Sequence, residues 1–391
     1  MPENDNIYNC YKPPAEEFVR GEGAYLYTED GEKYLDFIAG IAVNGLGHNH
    51  PALVGALKEQ AGKLWHLSNM FKVQGGLALA EKYCAATFAD KVFFTNSGAE
   101  AVECAMKTAR RCQFVEGHPE RYEIITAKGA FHGRTFATIN AGGNPKYLEG
   151  FGPSLPGFIN VPFGDMDAIK AAMNENTAAI LVEPVQGEGG VRALPVQFLK
   201  DLRTLCDENG LLLIYDEVQS GAGRTGKLFA HQWAGISADV VPIAKGLGSG
   251  VPIGAVLAHG EAAELFQPGN HGTTFGGNPL ATATALAVVN TIDGDKIAER
   301  ASELSSRISS GLQPLVASGH IKDLRCKGMM FGLDLGKPCG ELVARGLDQG
   351  LIINVTADSI VRLLPTLNLS DEDADELIDR VSELIKSFDA S

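Results

Sequence analysis

The sequence predicts an α/β fold with a mostly parallel sheet covered by helices on both faces. Two observations carry that expectation. From about residue 90, short apolar runs (KVFFT, EIIT, AAILV, LLLIY and DVVPIA) alternate with helix-period stretches at 99–112, 166–175 and 196–209. Several of these runs also end in polar or glycine-rich residues: Asn96-Ser97-Gly98, Glu183, Asp216 and Lys245. In an open α/β sheet, ligands bind at the carboxyl ends of the strands.

The remaining elements follow in chain order. Tyr25–Thr28 and Lys33–Phe37 flank Asp30-Gly31, a hairpin turn signal. A helix is expected from Pro51, with Leu53, Val54, Leu57, Ala61, Leu64 and Trp65 on one face. The link from Lys245 to the run PIGAVLA is too short for a crossover helix, so that strand should run antiparallel. Residues 279–318 read as one long helix. Strands GMMFGLDL, LIINV and IVRLLP then surround a helix near 339–349. A last helix begins at the cap-like Ser370, with Leu377, Ile378, Val381, Leu384 and Ile385 spaced for one face. The C-terminal αβ unit, joined by the N-terminal hairpin, is the expected second, smaller domain.

Composition narrows the function. The chain has 391 residues, 45% of them hydrophobic, and a net charge of −15. That charge argues against non-specific nucleic-acid binding. Seven scattered cysteines with no CxxC spacing suggest neither a disulfide framework nor a zinc site, and fit a reducing, cytoplasmic setting. The start, MPENDNIYNC, lacks a basic n-region followed by an apolar stretch, and the longest apolar runs are far too short to span a membrane. The Asn354-Val355-Thr356 sequon is therefore read as accidental.

The chemistry centres on Lys245 and Asp216. A lysine and an aspartate at the ends of buried strands are the two protein groups that a pyridoxal 5'-phosphate site needs. The lysine forms the Schiff base, and the aspartate keeps the pyridine nitrogen protonated. Ser97, Gly98 and Ala99 open a helix whose free N–H groups can take an anion. Phe131 could cover a flat ring, and Arg134 could pair with a carboxylate. Gly221-Ala-Gly223-Arg-Thr-Gly226 matches GxGxxG in letters, making a nicotinamide-dependent dehydrogenase the competing reading. The match does not sit directly between a strand and a helix, and the expected downstream acid is missing. His48-Asn49-His50 lacks a third metal ligand. Glu183 and Glu188 give no usable acid/base geometry.

In order and spacing, YLDFIAGIAVNGLGHNHP, NSGAEA, AFHGRT, EPVQGEGG, DEVQSGAGRTG, AKGLGSGVPIGA, HGTTFGGNPLA and VRLLPTLNLS resemble the class III (ornithine-type) pyridoxal phosphate aminotransferases of fold type I. The resemblance covers nearly the whole chain. It implies a seven-stranded, mostly parallel sheet plus a smaller αβ domain. Residues 1–50 would contribute the hairpin to the small domain, 51–278 would form the large cofactor-binding domain, 279–318 the long connecting helix, and 319–391 the small domain.

The resemblance also implies roles. Lys245 would be the Schiff-base lysine and Asp216 the pyridine-nitrogen partner. Glu217 stands in the same cofactor-binding run, with Val218 against the ring and Gln219 on its phenolic oxygen. Ser97, Gly98 and Ala99 would cradle the phosphate, and Phe131 would stack on the ring. Arg134 would hold the donor's α-carboxylate, Arg362 that of 2-oxoglutarate or glutamate, and Glu188 would mask Arg362. Thr274 would reach the phosphate across a homodimer interface, with Thr273 near the neighbouring substrate.

The implied reaction moves the ω-amino group of N2-acetyl-L-ornithine to 2-oxoglutarate. It gives N-acetyl-L-glutamate 5-semialdehyde and L-glutamate, a step of arginine biosynthesis. Succinylornithine, succinyl-diaminopimelate and ornithine are the alternative donors. His132, where ornithine-specific relatives would favour Trp, points to an acylated donor. Val102, the GLGSG loop and Thr273 depart from the common pattern without removing a catalytic group.

Overall fold

The computed structural model describes residues 6–389. The first five residues of the acidic start and residues 390–391 lie outside the described residues.

Seven strands form the central sheet. Their order across it is Lys91–Thr95, Gly254–Ala258, Val240–Ile243, Leu212–Tyr215, Thr177–Val182, Glu123–Ala127 and Phe158–Val161. Gly254–Ala258 is antiparallel to both of its neighbours, and every other pairing is parallel. The short link after Lys245 therefore has the predicted consequence. Leu212–Tyr215 and Val240–Ile243, at the centre, are apolar at every position because both faces are covered. Ile125, Ile180, Leu213 and Tyr215 pack into one core, while Ile124, Leu181 and Ile214 pack into the other. Phe158–Val161 was not anticipated from the sequence.

A second unit joins the two ends of the chain. Phe18–Glu22, Tyr25–Thr28 and Lys33–Asp36 form a sheet with Leu351–Ile352. Asp323–Lys327, Met330–Asp334, Ile360–Leu363 and Asn354–Thr356 form another. Leu35, Phe37, Phe331 and Leu363 share a core with Leu377, Val381, Leu384 and Ile385 of the last helix, Asp371–Asp389. That helix is capped by Ser370, whose Oγ accepts from Asp373 N at 3.0 Å.

Three expectations need correction. The 279–318 helix is two helices, Pro279–Gly294 and Ile297–Ala317, broken at Asp295 and Lys296, where Lys296 takes φ +52°. The break lets Ala281, Ala285 and Val289 pack on the large sheet while Leu304, Ile308 and Leu312 pack on the second unit. The Pro51 helix stops at Ala61 before Gly62, leaving Leu64 and Trp65 exposed beyond it. The run LIINV is divided between two sheets, because Leu351–Ile352 and Asn354–Thr356 pair with different partners.

Candidate active site

The carboxyl ends of the large-sheet strands border a cavity of about 450 Å³ lined by Ser97, Gly98, Ala99, Phe131, His132, Arg134, Asp216, Val218 and Lys245, among others. Lys245 follows the strand Val240–Ile243 and adopts φ +44°, a left-handed backbone that a lysine rarely takes. Withdrawal from water lowers its amine pKa and Arg362 pushes the same way, while Glu188, Glu183 and Asp216 pull it back up.

Asp216 extends the neighbouring strand. Its Oδ1 accepts from Val218 N at 3.0 Å, and its Oδ2 meets His132 Nδ1 at 2.7 Å. Both side chains are buried, and His132 Nε2 has no partner. A buried imidazole bonded on one side orients the carboxylate it touches. From the sequence, His132 served only to discriminate donors, and this contact was missed. Its position beside Phe131 was the available signal.

The helix Gly98–Val115 begins at the cavity, with Ser97 Oγ accepting from Glu100 N at 3.2 Å. A Cβ at Gly98 would stand 2.7 Å from Val218 Cγ1, so only glycine lets the helix start approach that wall. Phe131 N donates to Glu183 Oε2 at 3.1 Å. Glu183 is buried, and burial raises its pKa well above the ordinary carboxyl value, with Asp216 adding to the rise. The exposed Arg134 guanidinium lies 3.7 Å from the centre of the Tyr147 ring and 5.3 Å from that of Phe131. Tyr147 gave no signal in the sequence.

Glu188 and Arg362, expected to pair, come together across the two units. Arg362 Nη1 donates to Glu188 Oε1 at 2.6 Å. Its Nε and Nη2 both donate to Asn354 Oδ1, at 3.1 and 2.7 Å. Arg362 is 1% exposed, whereas the Glu188 side chain retains 29%. The carboxylate is therefore the partner with room to leave. Asn354 belongs to the sequon read as accidental, and its side chain is committed to Arg362.

Two groups of residues stand apart from the cavity. Glu217 does not line it. Its buried carboxylate accepts from Ser220 Oγ at 2.6 Å, from the backbone N–H groups of Ala230 and His231 at 2.9 Å, and meets His231 Nδ1 at 3.0 Å. With its acceptor capacity taken up by protein donors, Glu217 braces the loop carrying Val218 and Gln219 rather than facing a ligand. Gln219 is buried, and its Oε1 has no partner. Thr274 is exposed on the loop that borders a neighbouring concavity with Asn96, Glu100 and Thr273, outside the Lys245 cavity of the same chain. His48 of the His-Asn-His run meets Asp36 at 2.8 Å, and among the described residues no cluster could hold a metal ion.

A buried lysine, an aspartate one strand away and a helix N-terminus around one cavity, with the Glu188–Arg362 pair close enough to act on the lysine's charge, are the groups of an amino-group transferase of the α/β type. The Aminotransferase class-III family model matches residues 10–385, and the chain belongs to that family. It is 53% identical to the acetylornithine aminotransferase of Brucella melitensis over 97% of this chain and 95% of that one. The acetylornithine aminotransferase structure from Stenotrophomonas maltophilia superposes with a TM-score of 0.85 at 38% identity, covering 97% of this chain and 98% of the other. The ornithine aminotransferase of Toxoplasma gondii gives 0.94 at 30%, covering 99% and 94%.

Proposed function

We propose that this chain transfers the ω-amino group of N2-acetyl-L-ornithine to 2-oxoglutarate with pyridoxal 5'-phosphate, giving N-acetyl-L-glutamate 5-semialdehyde and L-glutamate in arginine biosynthesis. The observation that carries the reading is the convergence of Lys245 and Asp216 on one cavity, with the paired Glu188 and Arg362 close enough to act on the charge of Lys245. Relatives at about 50% identity over nearly full length bear the acetylornithine aminotransferase name.

The residues present fit the cofactor. His132 Nε2 in the cavity wall and Gln219 Oε1 on the loop after Asp216 are buried polar atoms without partners among the described residues, and Gly98 leaves the helix N-terminus open. When bound, the cofactor supplies an electron sink for the carbon that gains or loses the amine. Lys245 would hold it and, once released, carry the proton to and from the substrate's Cδ. A lowered amine pKa suits that exchange, because it leaves more neutral amine near neutral pH. Asp216, oriented by His132, would hold the ring nitrogen's proton. The N–H groups after Ser97 would take the phosphate. Phe131 would cover the ring face, and Gln219 would meet its phenolic oxygen.

Arg134 would take the distant carboxylate of the donor, and Arg362, freed of Glu188, the near one of the acceptor. Thr273 and Thr274 would act across a homodimer interface. The exposed Leu64, Trp65, Met70, Phe71 and Phe275 support a second copy there, since Asn69 donates to Thr273 O at 2.9 Å and His66 lies 5.1 Å from the Phe275 ring. We assign 51–278 as the cofactor-binding domain, and 1–50 with 319–391 as the small one. Among the described residues no helix is long and apolar enough to cross a membrane, which suits a cytoplasmic enzyme.

Purified protein, loaded with cofactor and given both substrates, should form glutamate and semialdehyde in equal amounts. Its visible absorbance should be lost on borohydride treatment. Absence of glutamate with acetylornithine as donor would overturn the reading. A fully active monomer in sedimentation would overturn the homodimer assignment.

A further inference from the structure

Arg224 lies within the segment that matches a nucleotide-binding fingerprint in letters only. It is 2% exposed, and among the described residues no carboxylate pairs with it. Nη1 donates to the carbonyl oxygens of Met329, at 3.2 Å, and Pro365, while Nη2 is buried without a partner. Burial pushes its pKa down to about 9. A buried charge without a counter-ion is unfavourable, and an apolar side chain would fill the same space at less cost in solvation. The guanidinium's contribution is therefore best sought in what its rigid fork of donors holds.

Those carbonyls have a definite place. Met329 precedes the strand Met330–Asp334, and Pro365 follows Ile360–Leu363, which carries Arg362. The two strands are neighbours, with Gly332 opposite Arg362. Met329 N donates back to Arg224 O at 2.9 Å. Gly328 takes φ +58° and presses against the backbone of Thr225, where a side chain could not fit. At its other end, the same loop begins at Asp216. Other ties near the Glu188–Arg362 pair lead elsewhere: Thr356 Oγ1 to Glu188 O and Arg325 Nη1 to Gly190 O reach the Glu188 loop, and Leu364 N donates to Phe37 O at 2.6 Å in the N-terminal segment. Arg224 is thus the side chain that links the loop after Asp216 to the strand pair delivering Arg362.

We propose that Arg224 is a positioning residue that fixes where Arg362 stands over the cavity, and so serves the 2-oxoglutarate half-reaction rather than the ω-amine one. The inference rests on the reading of Arg362 as the acceptor's carboxylate receptor.

The test compares wild-type, Arg224→Lys and Arg224→Met holoenzymes in separate single-turnover half-reactions with N-acetylornithine and with 2-oxoglutarate, followed by cofactor absorbance. Arg224→Met should weaken the 2-oxoglutarate half-reaction on the order of ten- to a hundredfold, the range for a displaced substrate-positioning group, and leave the acetylornithine one little changed. Arg224→Lys keeps the charge but not the fork, and should fall between. It carries the test if Arg224→Met does not fold. Equal losses in both half-reactions, or none in either, overturn the inference while an active wild type preserves the functional reading. Failure of both variants to accumulate as folded holoenzyme also overturns it, since the residue would then serve stability alone. A wild type inert toward both substrates overturns the functional reading and this inference with it.

Discussion

Lys245, Asp216 and His132 stand on loops that follow strands of a single sheet, whereas the Glu188–Arg362 pair joins one such loop to a strand of the C-terminal sheet. In the first group the His132–Asp216 contact is buried on both sides at 2.7 Å. In the second, a buried arginine meets a carboxylate that is 29% exposed. The floor is pre-organised, because one rigid sheet sets its spacing and the surrounding core excludes alternatives. The gate is an ion pair across two units, so it can part without unfolding either. A site that must accept two carboxylate geometries in turn needs both kinds of construction.

The comparison breaks most severely at Lys245. Lys245→Ala should abolish transamination while leaving the protein folded, because among the described residues no other amine lines the cavity to replace it. Turnover near the wild-type level, measured on a variant with unchanged circular dichroism, would show that the floor is not where the chemistry happens.

Asp216→Asn comes next. It keeps the shape and loses the charge that holds a proton on the ring nitrogen. The expected loss is on the order of 3 kcal/mol in activation free energy, the scale for removing one preorganised electrostatic group. It should affect both half-reactions alike, since both use the floor. A loss confined to one of them would show that Asp216 belongs functionally with the gate.

The gate should respond asymmetrically. Arg362→Ala should impair the 2-oxoglutarate half-reaction more than the acetylornithine one. Glu188→Ala should shift preference toward α-amines such as glutamate, since the near receptor is then always open. Single half-reaction kinetics decide, and equal losses for Arg362→Ala would mean the two regions are not distinct.

The smallest effect sharpens the comparison as a control. Ser370→Ala removes the cap of the last helix and should cost about 1 kcal/mol of stability. It should lower the Tm and leave both half-reactions unchanged. A change in acceptor selectivity would instead show that the small unit's stability feeds directly into the gate.

Much of the floor is legible in the sequence. The strand ends at Asp216 and Lys245 are local features, each a buried apolar run followed by a polar residue. The antiparallel strand 254–258 follows from the length of one link. The hairpin at Asp30-Gly31 and the last helix are equally local. The misreadings share a different cause. The 279–318 stretch is helical in period on both sides of Asp293-Gly294-Asp295, a local breaker that the period hid, and its halves pack against two separate cores on either side of Lys296. Leu64 and Trp65 continue an apolar spacing that Gly62 interrupts. Leu351–Ile352 and Asn354–Thr356 read as one strand because pairing partners leave no mark in a single run of residues. Glu217 sits between two cavity residues, and its turn inward toward Ser220 and His231 could not be read from its neighbours.

The class of fold, the order of most of its elements and the two strand-end groups Asp216 and Lys245 that meet at one cavity are written in the sequence, because period, turn chemistry and strand ends are encoded within a few residues. The folded chain adds what no local pattern held: His132 orients Asp216, Asn354 joins Glu188 on Arg362, and Arg224 ties the two units together. The contacts of His132, Glu188 and Arg224 each join segments far apart in the chain. Which distant partner a polar side chain meets is settled by the packing of whole sheets, a property that no local pattern carries.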